Sequence, residues 1–314
     1  MTATSAGKPK VAVIAGGDSA EREISLQTGA GVVNALESLG YPHVTLDFDA
    51  SFVDRLRAER PDVVFNALHG GAGEDGTVQA ILDWLKVPYQ GSGLRACAAA
   101  MDKWTSKALL RMHDLPTPRG VRLDVDAGEA KEPPEPPGLP CVVKPLAQGS
   151  AVGVSVVHFA ESWEDAVRGA SSFGAPILVE EYVEGREFTV AILERRALPV
   201  VEITPHDDFY TYHAKYTPGA STHTVPAMLP TALAQRMQDY ALRFHHILGC
   251  RDYSRVDIVM SVTNSLYVLE CNTLPGLTPL SLFPEAAAAA GISYEELVDS
   301  LVRAACARAG VHAA

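Results

Sequence analysis

Short apolar runs alternate with helix-length segments over the first hundred residues, and this alternation constrains the fold more than any other feature. Apolar, β-branched runs predict strands at Lys10–Ala15, Val44–Phe48 and Asp62–Leu68. Helical patterns follow at about residues 20–39 and at Thr77–Leu85. Strands separated by helices predict a parallel, doubly wound sheet. Because ligands bind beyond the carboxyl ends of such strands, we expect binding loops at Gly16–Glu23 and His69–Gly76.

The pattern changes after a proline-rich segment, Lys131–Pro140, which can form neither a helix nor a central strand. From Cys141 onward, β-runs with short breaks are typical of antiparallel sheets with few helices. Helices are predicted at Thr231–Leu248 and Ser293–Arg308, with a hairpin at Ser254–Cys271 between them. The chain therefore combines an α/β part with an α+β part, and its 314 residues predict more than one domain.

Composition excludes several classes of partner. The chain has 38 acidic and 26 basic residues, a net charge of -12 that argues against a nucleic-acid-binding protein. No apolar run approaches the roughly 18 residues that cross a bilayer, and the N-terminus lacks a signal-peptide pattern, so we expect a cytoplasmic protein with no membrane partner. Five scattered cysteines without a CxxC motif indicate reduced, structural thiols, and zinc is not expected.

The strongest chemical signal is a pair of segments, Arg255-Val256-Asp257 and Glu270-Cys271-Asn272. A turn centred on Thr263-Asn264 would pair residues whose numbers add up to 527. Asp257 would then face Glu270, and Arg255 would face Asn272, with all four side chains on one face because strands alternate with period two.

Opposed carboxylates need a reason to stay together. At roughly 5 Å, with an effective dielectric constant near 20, they would repel by about 3 kcal/mol. A cation between Asp257 and Glu270 removes that repulsion, and with Asn272 as a neutral third ligand the all-oxygen set favours Mg²⁺ over zinc. The alternative is a solvated strand face with a cluster of surface charges.

Other segments each leave two interpretations open. Lys144 with the loop Gln148–Ser155 fits a cation beneath a flexible phosphate loop, but also a plain hairpin turn. Glu180, Glu181 and Glu187 fit contacts to adenine and ribose, but exposed strand-end acids are the default. Thr273–Pro284 offers backbone N–H groups near Gly276 for an oxyanion hole, or is a rigid crossover loop.

Two interpretations also remain for the motifs of the first hundred residues and for the tyrosine-rich segment. Asp18-x-x-Glu21 is either a variant capping box or a ligand-binding acid at a helix start. His69 would end a strand, where a histidine is more often structural than catalytic. Phe209–Ala220, with charged residues among its aromatics, is better explained as a lid loop than as a core strand.

Taken together, these segments resemble the D-alanine–D-alanine ligase family of the ATP-grasp superfamily over nearly the whole chain. The segments that match in order and spacing are GGDSAEREISL, ALHGGAGEDGT, MDKWTSK, VVKP, QGSAVGVS, EFTVAI, AKY, RVDIV and LECNTLPGLT. The resemblance implies an N-terminal Rossmann-like domain (residues 1–102) and a two-part ATP-grasp fold. The central subdomain would span 103–190, and the C-terminal subdomain, with the metal site and lid, 191–314.

The resemblance also implies a role for individual residues. Glu21 would hold the first ammonium group near His69, with Ser150 and Tyr216 as its lid partners. The residues implied for ATP are Lys103, Lys144, Lys215, Glu180, Glu181, Val183 and Glu187. The implied metal ligands are Asp257, Glu270 and Asn272. Arg255 and Gly276 would form the oxyanion hole, and Ser281 and Leu282 the site of the second carboxylate.

The implied activity is the ligation of two D-alanine molecules through an acyl phosphate, for peptidoglycan synthesis. ATP and two Mg²⁺ ions would be required, with Mn²⁺ able to substitute and a K⁺ dependence left open. Tyr216 favours dipeptide formation, because ester-forming relatives carry phenylalanine there. A ligase that uses D-lactate or D-serine as second substrate is the alternative. The family further implies a homodimer built through the N-terminal and central regions.

Overall fold

The computed structural model describes residues 7–125, 132–205, 221–278 and 281–310. Two site residues implied by the family resemblance, Lys215 and Tyr216, lie outside the described residues. The expected lid segment Phe209–Ala220 lies outside them as well. Within the described residues, no helix is both long enough and apolar enough to cross a bilayer.

The N-terminal region is the predicted parallel sheet flanked by helices. Its elements are β1 (Val11–Ala15), α1 (Arg22–Ser38), β2 (His43–Asp47), α2 (Phe52–Glu59), β3 (Val63–Asn66) and α3 (Thr77–Leu85). The strand order is β2-β1-β3 with parallel pairing throughout, which confirms the prediction from alternating strand and helix signals. Loops leave β1 and β3 at the same edge of the sheet, and they carry Glu21 and His69 towards each other.

Two consecutive helices and a four-stranded antiparallel sheet follow. The elements are α4 (Leu94–Met101), α5 (Lys103–Met112), β4 (Gly120–Leu123), β5 (Cys141–Pro145), β6 (Ser155–Val157), α6 (Trp163–Ser171) and β7 (Ile177–Glu181). The strand order is β4-β7-β5-β6. Cys141 and Val143 pack with Trp163 in the core under α6, so alternation along β5 directs Lys144 to the opposite face.

The C-terminal region is a larger antiparallel sheet with helices against it. Its elements are β8 (Gly185–Leu193), β9 (Arg196–Ala197), β10 (Val201–Pro205), β11 (Ser221–Thr224), α7 (Thr231–Leu248), β12 (Tyr253–Ser261), β13 (Leu266–Asn272), α8 (Leu282–Ala289) and α9 (Tyr294–Ala309). The strand order is β11-β10-β8-β12-β13, and β9 pairs with β8. These antiparallel strands, α7 and the hairpin confirm the predictions for this half of the chain.

The loop expected at Thr273–Pro284 is wrong at its end, because α8 begins at Leu282. Pro284 therefore lies in the first turn of a helix, where the missing N–H would have had no intrahelical partner. Ser281 precedes the helix in an extended conformation, with φ -80° and ψ 150°. The local proline count favoured a loop, whereas the alanine-rich run after Pro284 favours a helix.

The hydrophobic cores of the structure do not coincide with the three expected domains. The expected domain boundaries stay a prediction. One core joins β1, β3 and α1 of the N-terminal region to β8, β10, α8 and α9. A second core packs α4, α5 and α7 against β8, β12 and β13. Two further cores each lie within one region: one packs the N-terminal sheet against α2 and α3, and the other packs the central sheet against α6. All five cysteines are buried and free, as expected of reduced thiols.

Candidate active site

The hairpin β12–β13 pairs Asp257 with Glu270 and Arg255 with Asn272, as the sequence predicts. The turn itself is displaced, since Ser261 N donates to Ser265 O and Met260 pairs with Leu266. That register would shift the two ends of the hairpin by one residue. A bulge in which Leu269 is the extra residue, between the pairs Ile258–Val268 and Asp257–Glu270, restores the predicted pairing.

Asp257 is held by donors on three sides. Arg255 donates to both of its carboxylate oxygens, from Nε and Nη2 at 3.0 Å each. Thr189 Oγ1 on β8 donates to Oδ1 at 2.6 Å, and Asn272 Nδ2 donates to Oδ2 at 3.2 Å. The side chains of Arg255 and Asp257 are 15% and 17% exposed, so this face is a cleft wall and the exposed charge cluster considered above is wrong.

A cleft of about 320 Å³ separates the central sheet from the C-terminal sheet. Its lining includes most of the predicted nucleotide and metal residues, namely Lys103, Lys144, Glu180, Glu181, Val183, Glu187, Asp257 and Glu270. Two walls of different sheets therefore present lysines and carboxylates to one space. A cleft of this size that combines apolar walls with a few polar groups is typical of a small-molecule site.

Glu180 is buried and ion-paired, so the default interpretation of an exposed acid is wrong for this residue. It is 3% exposed, with Oε1 against Lys144 Nζ and Oε2 2.6 Å from Lys107 Nζ. Burial alone would raise the pKa of Glu180, but the charges of Lys144 and Lys107 hold it below its usual range. Glu181 is half-buried, and its Oε1 accepts a hydrogen bond from Arg119 N at 2.8 Å.

Lys103 connects the loop after β5 with the metal face predicted on β13. Its Nζ donates to Gln148 O at 2.5 Å and lies 3.7 Å from Glu270 Oε2. Its own backbone N–H donates to Leu146 O, which ties the start of α5 to the same loop. One ammonium group thus spans the two sheets at the end of the cleft nearest the carboxylate pair.

Glu21 is joined to the loop after β5 by a hydrogen bond from Ser150. Ser150 Oγ donates to Glu21 Oε1 at 2.5 Å across 129 residues of sequence. Glu21 stands at the N-cap position of α1 but makes no side-chain cap bond, so the capping-box alternative is wrong. Ser150 and Ala151 both have positive φ, 52° and 57°, within consecutive turns. The loop joins the antiparallel neighbours β5 and β6, so the hairpin connection considered for it is confirmed, and its role as a phosphate loop stays a prediction.

His69 is buried beside Glu21. Its Nε2 lies 2.9 Å from Thr28 Oγ1, and its Nδ1 lies 3.7 Å from Glu74 Oε1. The next residue, Gly70, has φ +65°, and a Cβ there would lie 2.6 Å from Glu21 Oε2. Only glycine therefore lets the loop after β3 pass this close to the carboxylate.

The loop before α8 meets the N-terminal loops at His69. A Cβ on Gly276 would lie 3.9 Å from His69 Cε1 and 3.0 Å from Ser281 Oγ. Thr278 Oγ1 lies 2.7 Å from Ser281 Oγ, which fixes the serine hydroxyl before Leu282 starts the helix. The sites predicted for the first and second substrates are therefore contiguous.

Three residues of the site escaped the sequence analysis. Lys107 contacts Glu180, Glu74 approaches His69, and Thr189 donates to Asp257. The spacing of Lys107 four residues after Lys103 was the one available signal, since it places both lysines on one helix face. Glu74 and Thr189 had no local signal, because their contacts depend on packing between distant segments.

An N-terminal parallel sheet, followed by two antiparallel sheets that enclose a cleft of lysines and carboxylates, defines the ATP-grasp class of enzyme. Residues 51–92 match the family model described as D-ala D-ala ligase N-terminus, and residues 125–303 match the model described as D-ala D-ala ligase C-terminus. The chain belongs to the D-alanine–D-alanine ligase family.

Similar proteins cover almost the full length. The chain is 47% identical over 312 residues to the D-alanine–D-alanine ligase of Ruegeria pomeroyi, covering 98% of this chain and 100% of that protein. It is 45% identical over 305 residues to the ligase of Gluconobacter oxydans, covering 95% and 100%. The Bacillus anthracis ligase solved in complex with ATP superposes with a TM-score of 0.83 at 30% identity, covering 96% of this chain and 99% of that one.

Proposed function

We propose that this chain uses ATP to join two D-alanine molecules into D-alanyl-D-alanine, a building block of peptidoglycan. One observation supports the site assignment most strongly: Asp257 and Glu270 pair across the β12–β13 hairpin in a cleft that Lys103 and Lys144 also line. Family membership supports the reaction, and the ATP complex of a similar ligase supports the nucleotide. Nothing in the described residues favours D-lactate or D-serine as the second substrate.

The proposed metal ligands are Asp257, Glu270 and Asn272, which supply oxygen atoms only. Within the described ranges no three His, Cys, Asp or Glu side chains are grouped to hold a metal, so the proposed set consists of two carboxylates and one amide. Such a set fits Mg²⁺, or Mn²⁺ in its place, better than zinc. When bound, two Mg²⁺ ions would offset phosphate charge during transfer. A K⁺ requirement is tested below with the same assay.

The proposed roles of the basic residues follow from the negative charges of the two reactants, the D-alanine carboxylate and ATP. The carboxylate of the first D-alanine attacks the γ-phosphorus of ATP, which gives an acyl phosphate and ADP. Both reactants are anions, so Lys103, Lys144 and Arg255 would stabilise charge that would otherwise prevent their approach. Lys215, outside the described residues, is assigned to the phosphates by its family motif alone. Glu180, Glu181, Val183 and Glu187 are assigned to adenine and ribose.

Glu21 is proposed to bind the ammonium group of the first D-alanine, with His69 beside it. Its hydrogen bond from Ser150 supports this, because it fixes the carboxylate where the loops after β1, β3 and β5 meet. Tyr216 is the third partner implied by the family motif. Holding the ammonium group orients the attacking carboxylate. Part of the entropy that the reaction requires the substrate to lose is therefore already lost when the substrate binds.

The second D-alanine is proposed to bind at the start of α8. Its amine attacks the carbonyl carbon of the acyl phosphate, the C–O bond to phosphate breaks, and a proton leaves the amine. Arg255 and the Gly276 N–H would stabilise the oxyanion. Ser281 and Leu282 would bind the second carboxylate, where helix N-terminal N–H groups favour an anion. Exclusion of water is needed throughout, because water would hydrolyse the acyl phosphate.

Phosphate release from ATP tests this function. With Mg²⁺ present, D-alanine should stimulate release while L-alanine does not, and D-alanine with D-lactate should yield dipeptide rather than ester. Repeating the assay with Mn²⁺, and with K⁺ replaced by Na⁺, tests the ion requirements. Absence of stimulation by D-alanine would reject the assignment, and ester formation equal to dipeptide formation would reject the inference drawn from Tyr216.

We also propose a homodimer assembled through the N-terminal and central regions, and action in the cytoplasm, where ATP is available. The division at residues 1–102, 103–190 and 191–314 belongs to the same proposal. Light scattering on the purified protein tests the dimer, since a mass near twice 33.5 kDa is expected. Cell fractionation tests the location, and limited proteolysis tests the boundaries.

A further inference from the structure

Helix α5 presents two lysines to the interior, and only one of them has a role in the site described so far. Lys103 and Lys107 are one turn apart on the buried face of α5. Lys103 reaches Gln148 O and Glu270 at one end of the cleft. Lys107 is 1% exposed, which is exceptional for a lysine and requires a compensating partner.

The partner of Lys107 is Glu180, and the two oxygens of that carboxylate are divided between two lysines. Lys107 Nζ lies 2.6 Å from Oε2, and Lys144 Nζ contacts Oε1. Lys107 Nζ also donates to Thr117 Oγ1 at 2.9 Å, which fixes it from the far side. The carboxylate therefore cannot rotate without losing one of two charge-assisted bonds.

Strand register explains why Lys144 depends on this arrangement. Glu180 on β7 pairs with Val142, and Lys144 pairs with Leu178, so Lys144 and Glu180 are diagonal neighbours on the cleft face. A diagonal pair has no fixed side-chain geometry of its own. The second contact, from Lys107 on α5, is what fixes the position of the carboxylate.

We propose that Lys107 is a positioning residue for ATP binding: it anchors Glu180 so that Glu180 holds Lys144 towards the phosphates. This inference rests on the proposed function, in which Lys144 binds phosphate. The two ammonium groups and the one carboxylate together carry one net positive charge. Without Lys107, Glu180 would neutralise Lys144 and draw it away from an anionic ligand.

The cost of burial argues against a purely structural role. Burial lowers the pKa of Lys107, and the charge of Glu180 opposes this shift. A buried ion pair is often no more stabilising than apolar residues of the same volume, so fold stability alone does not account for three buried charges. Orientation of a phosphate-binding lysine does account for them.

The test is the affinity for ATP and Mg²⁺, measured by calorimetry without D-alanine. K107M is expected to weaken ATP binding at least tenfold, while K107R recovers part of the loss. The matched control is R111M, which removes a positive charge from the exposed side of the same helix and should stay within twofold of wild type. In turnover assays, K107M should raise the KM for ATP more than the KM for D-alanine.

Because calorimetry does not require ligation, its result is independent of whether D-alanine is the substrate. ATP affinity of K107M within threefold of wild type would overturn the proposal. If K107M does not fold, E180Q is compared with the double variant K107M/E180Q, in which both charges are removed together. Equal affinities in that pair support action through Glu180, and a further tenfold loss in the double variant overturns it.

Discussion

Asp257 illustrates how a single carboxylate can belong to two proposed functions, metal binding and the orientation of Arg255. Arg255 makes a bidentate contact with it, and Thr189 donates from the neighbouring strand. Asn272 completes the arrangement from β13. The Arg255 guanidinium, which is proposed to stabilise the oxyanion, is therefore fixed by a proposed metal ligand. Phosphoryl transfer and the attack on the acyl phosphate are expected to be sensitive to the same substitutions.

Glu270 provides the sharpest test of the metal site. E270Q keeps the shape of the side chain but removes the charge opposite Asp257, so kcat should fall at least a hundredfold, since transition-state charge would lose several kcal/mol of stabilisation. The fold should persist, with a melting temperature near that of wild type. Phosphate release and thermal melting measure the two effects. E161Q, at an exposed acid of the central region, should match wild type in both, and an active E270Q variant would eliminate the metal assignment.

Ser150 tests the proposed site for the first substrate. S150A removes the hydrogen bond to Glu21, and a hydrogen bond to a charged group contributes about 1.5–3 kcal/mol. We therefore expect kcat/KM for D-alanine to fall roughly 10- to 100-fold, with ATP affinity nearly unchanged. Steady-state kinetics with D-alanine as the varied substrate measures this. S172A, at an exposed serine of the same region, is the control, and equal losses in both variants would refute a specific role for Ser150.

Residues whose partners lie nearby in sequence were predictable, and those with distant partners were not. The pairing of Asp257 with Glu270 follows from strand alternation and one short turn, so the sequence sufficed. The contact between Ser150 and Glu21 spans three loops, and its assignment came from the family resemblance alone. The burial of Glu180 depends on where α5 docks against a sheet, which no local pattern specifies.

At the scale of elements, the β12–β13 hairpin has the predicted register at the site, but its turn and its bulge were not predicted. The turn is offset from the expected centre, and the bulge at Leu269 compensates for the offset. Bulges of this kind are over-represented next to active sites, where they redirect a side chain. The sequence analysis also did not predict helix α5, although its two buried lysines connect the loop after β5 with β7 and β13.

Helix α7 is attached to β12 by a histidine that makes stability depend on pH. His245 is 2% exposed, with Nδ1 2.7 Å from Ser254 Oγ. Burial, with a smaller contribution from the charge of His246, lowers the pKa of His245 from 6.5 to about 4. Between these values the unfolded chain binds the additional proton, so this contribution to stability is complete above pH 6.5 and is lost as the pH falls towards 4.

We expect His245 to account for about 2 kcal/mol of the stability that wild type loses between pH 6.5 and 4.5. Denaturant unfolding at several pH values should show that loss reduced by this amount in H245Q. The neighbouring His246 is exposed and makes only the smaller contribution to that pKa, so H246Q should retain most of the wild-type pH dependence. An identical pH dependence in wild type and H245Q would show that His245 does not titrate as proposed.

At the scale of the whole molecule, the N-terminal and C-terminal regions fold around a common core. Residues of β1, β3 and α1 pack with α8 and α9, although these segments are separated by more than two hundred residues. The substrate loops of both regions are therefore held in one body, and Glu21, His69 and Gly276 meet because of it. The central sheet has its own core under α6. We infer that it is the part of the cleft whose stability is most independent of the rest.

Arg308 near the end of α9 tests this division. It contacts Asp252, a 9%-exposed residue just before β12, and its Nη2 donates to Tyr89 O at 2.7 Å. The other oxygen of Asp252 accepts from Gly91 N at 2.7 Å. R308M leaves a buried carboxylate without its cation, so we expect the free energy of unfolding to fall by roughly 2–3 kcal/mol.

Amide hydrogen exchange, measured separately for each peptide, shows in which elements the R308M variant loses stability. Amides of β1 and of β12 should lose protection by the same factor, roughly 30- to 150-fold for 2–3 kcal/mol, because a shared core opens as one unit. Amides of β5 and β7 should change little. R303M on the same helix is the matched control, since the Arg303 side chain is 57% exposed and its ion pair with Asp299 should contribute less than about 1 kcal/mol. Loss of protection confined to β12 would show that the two regions open separately, and an equal loss in β5 would show that the central sheet is not independent.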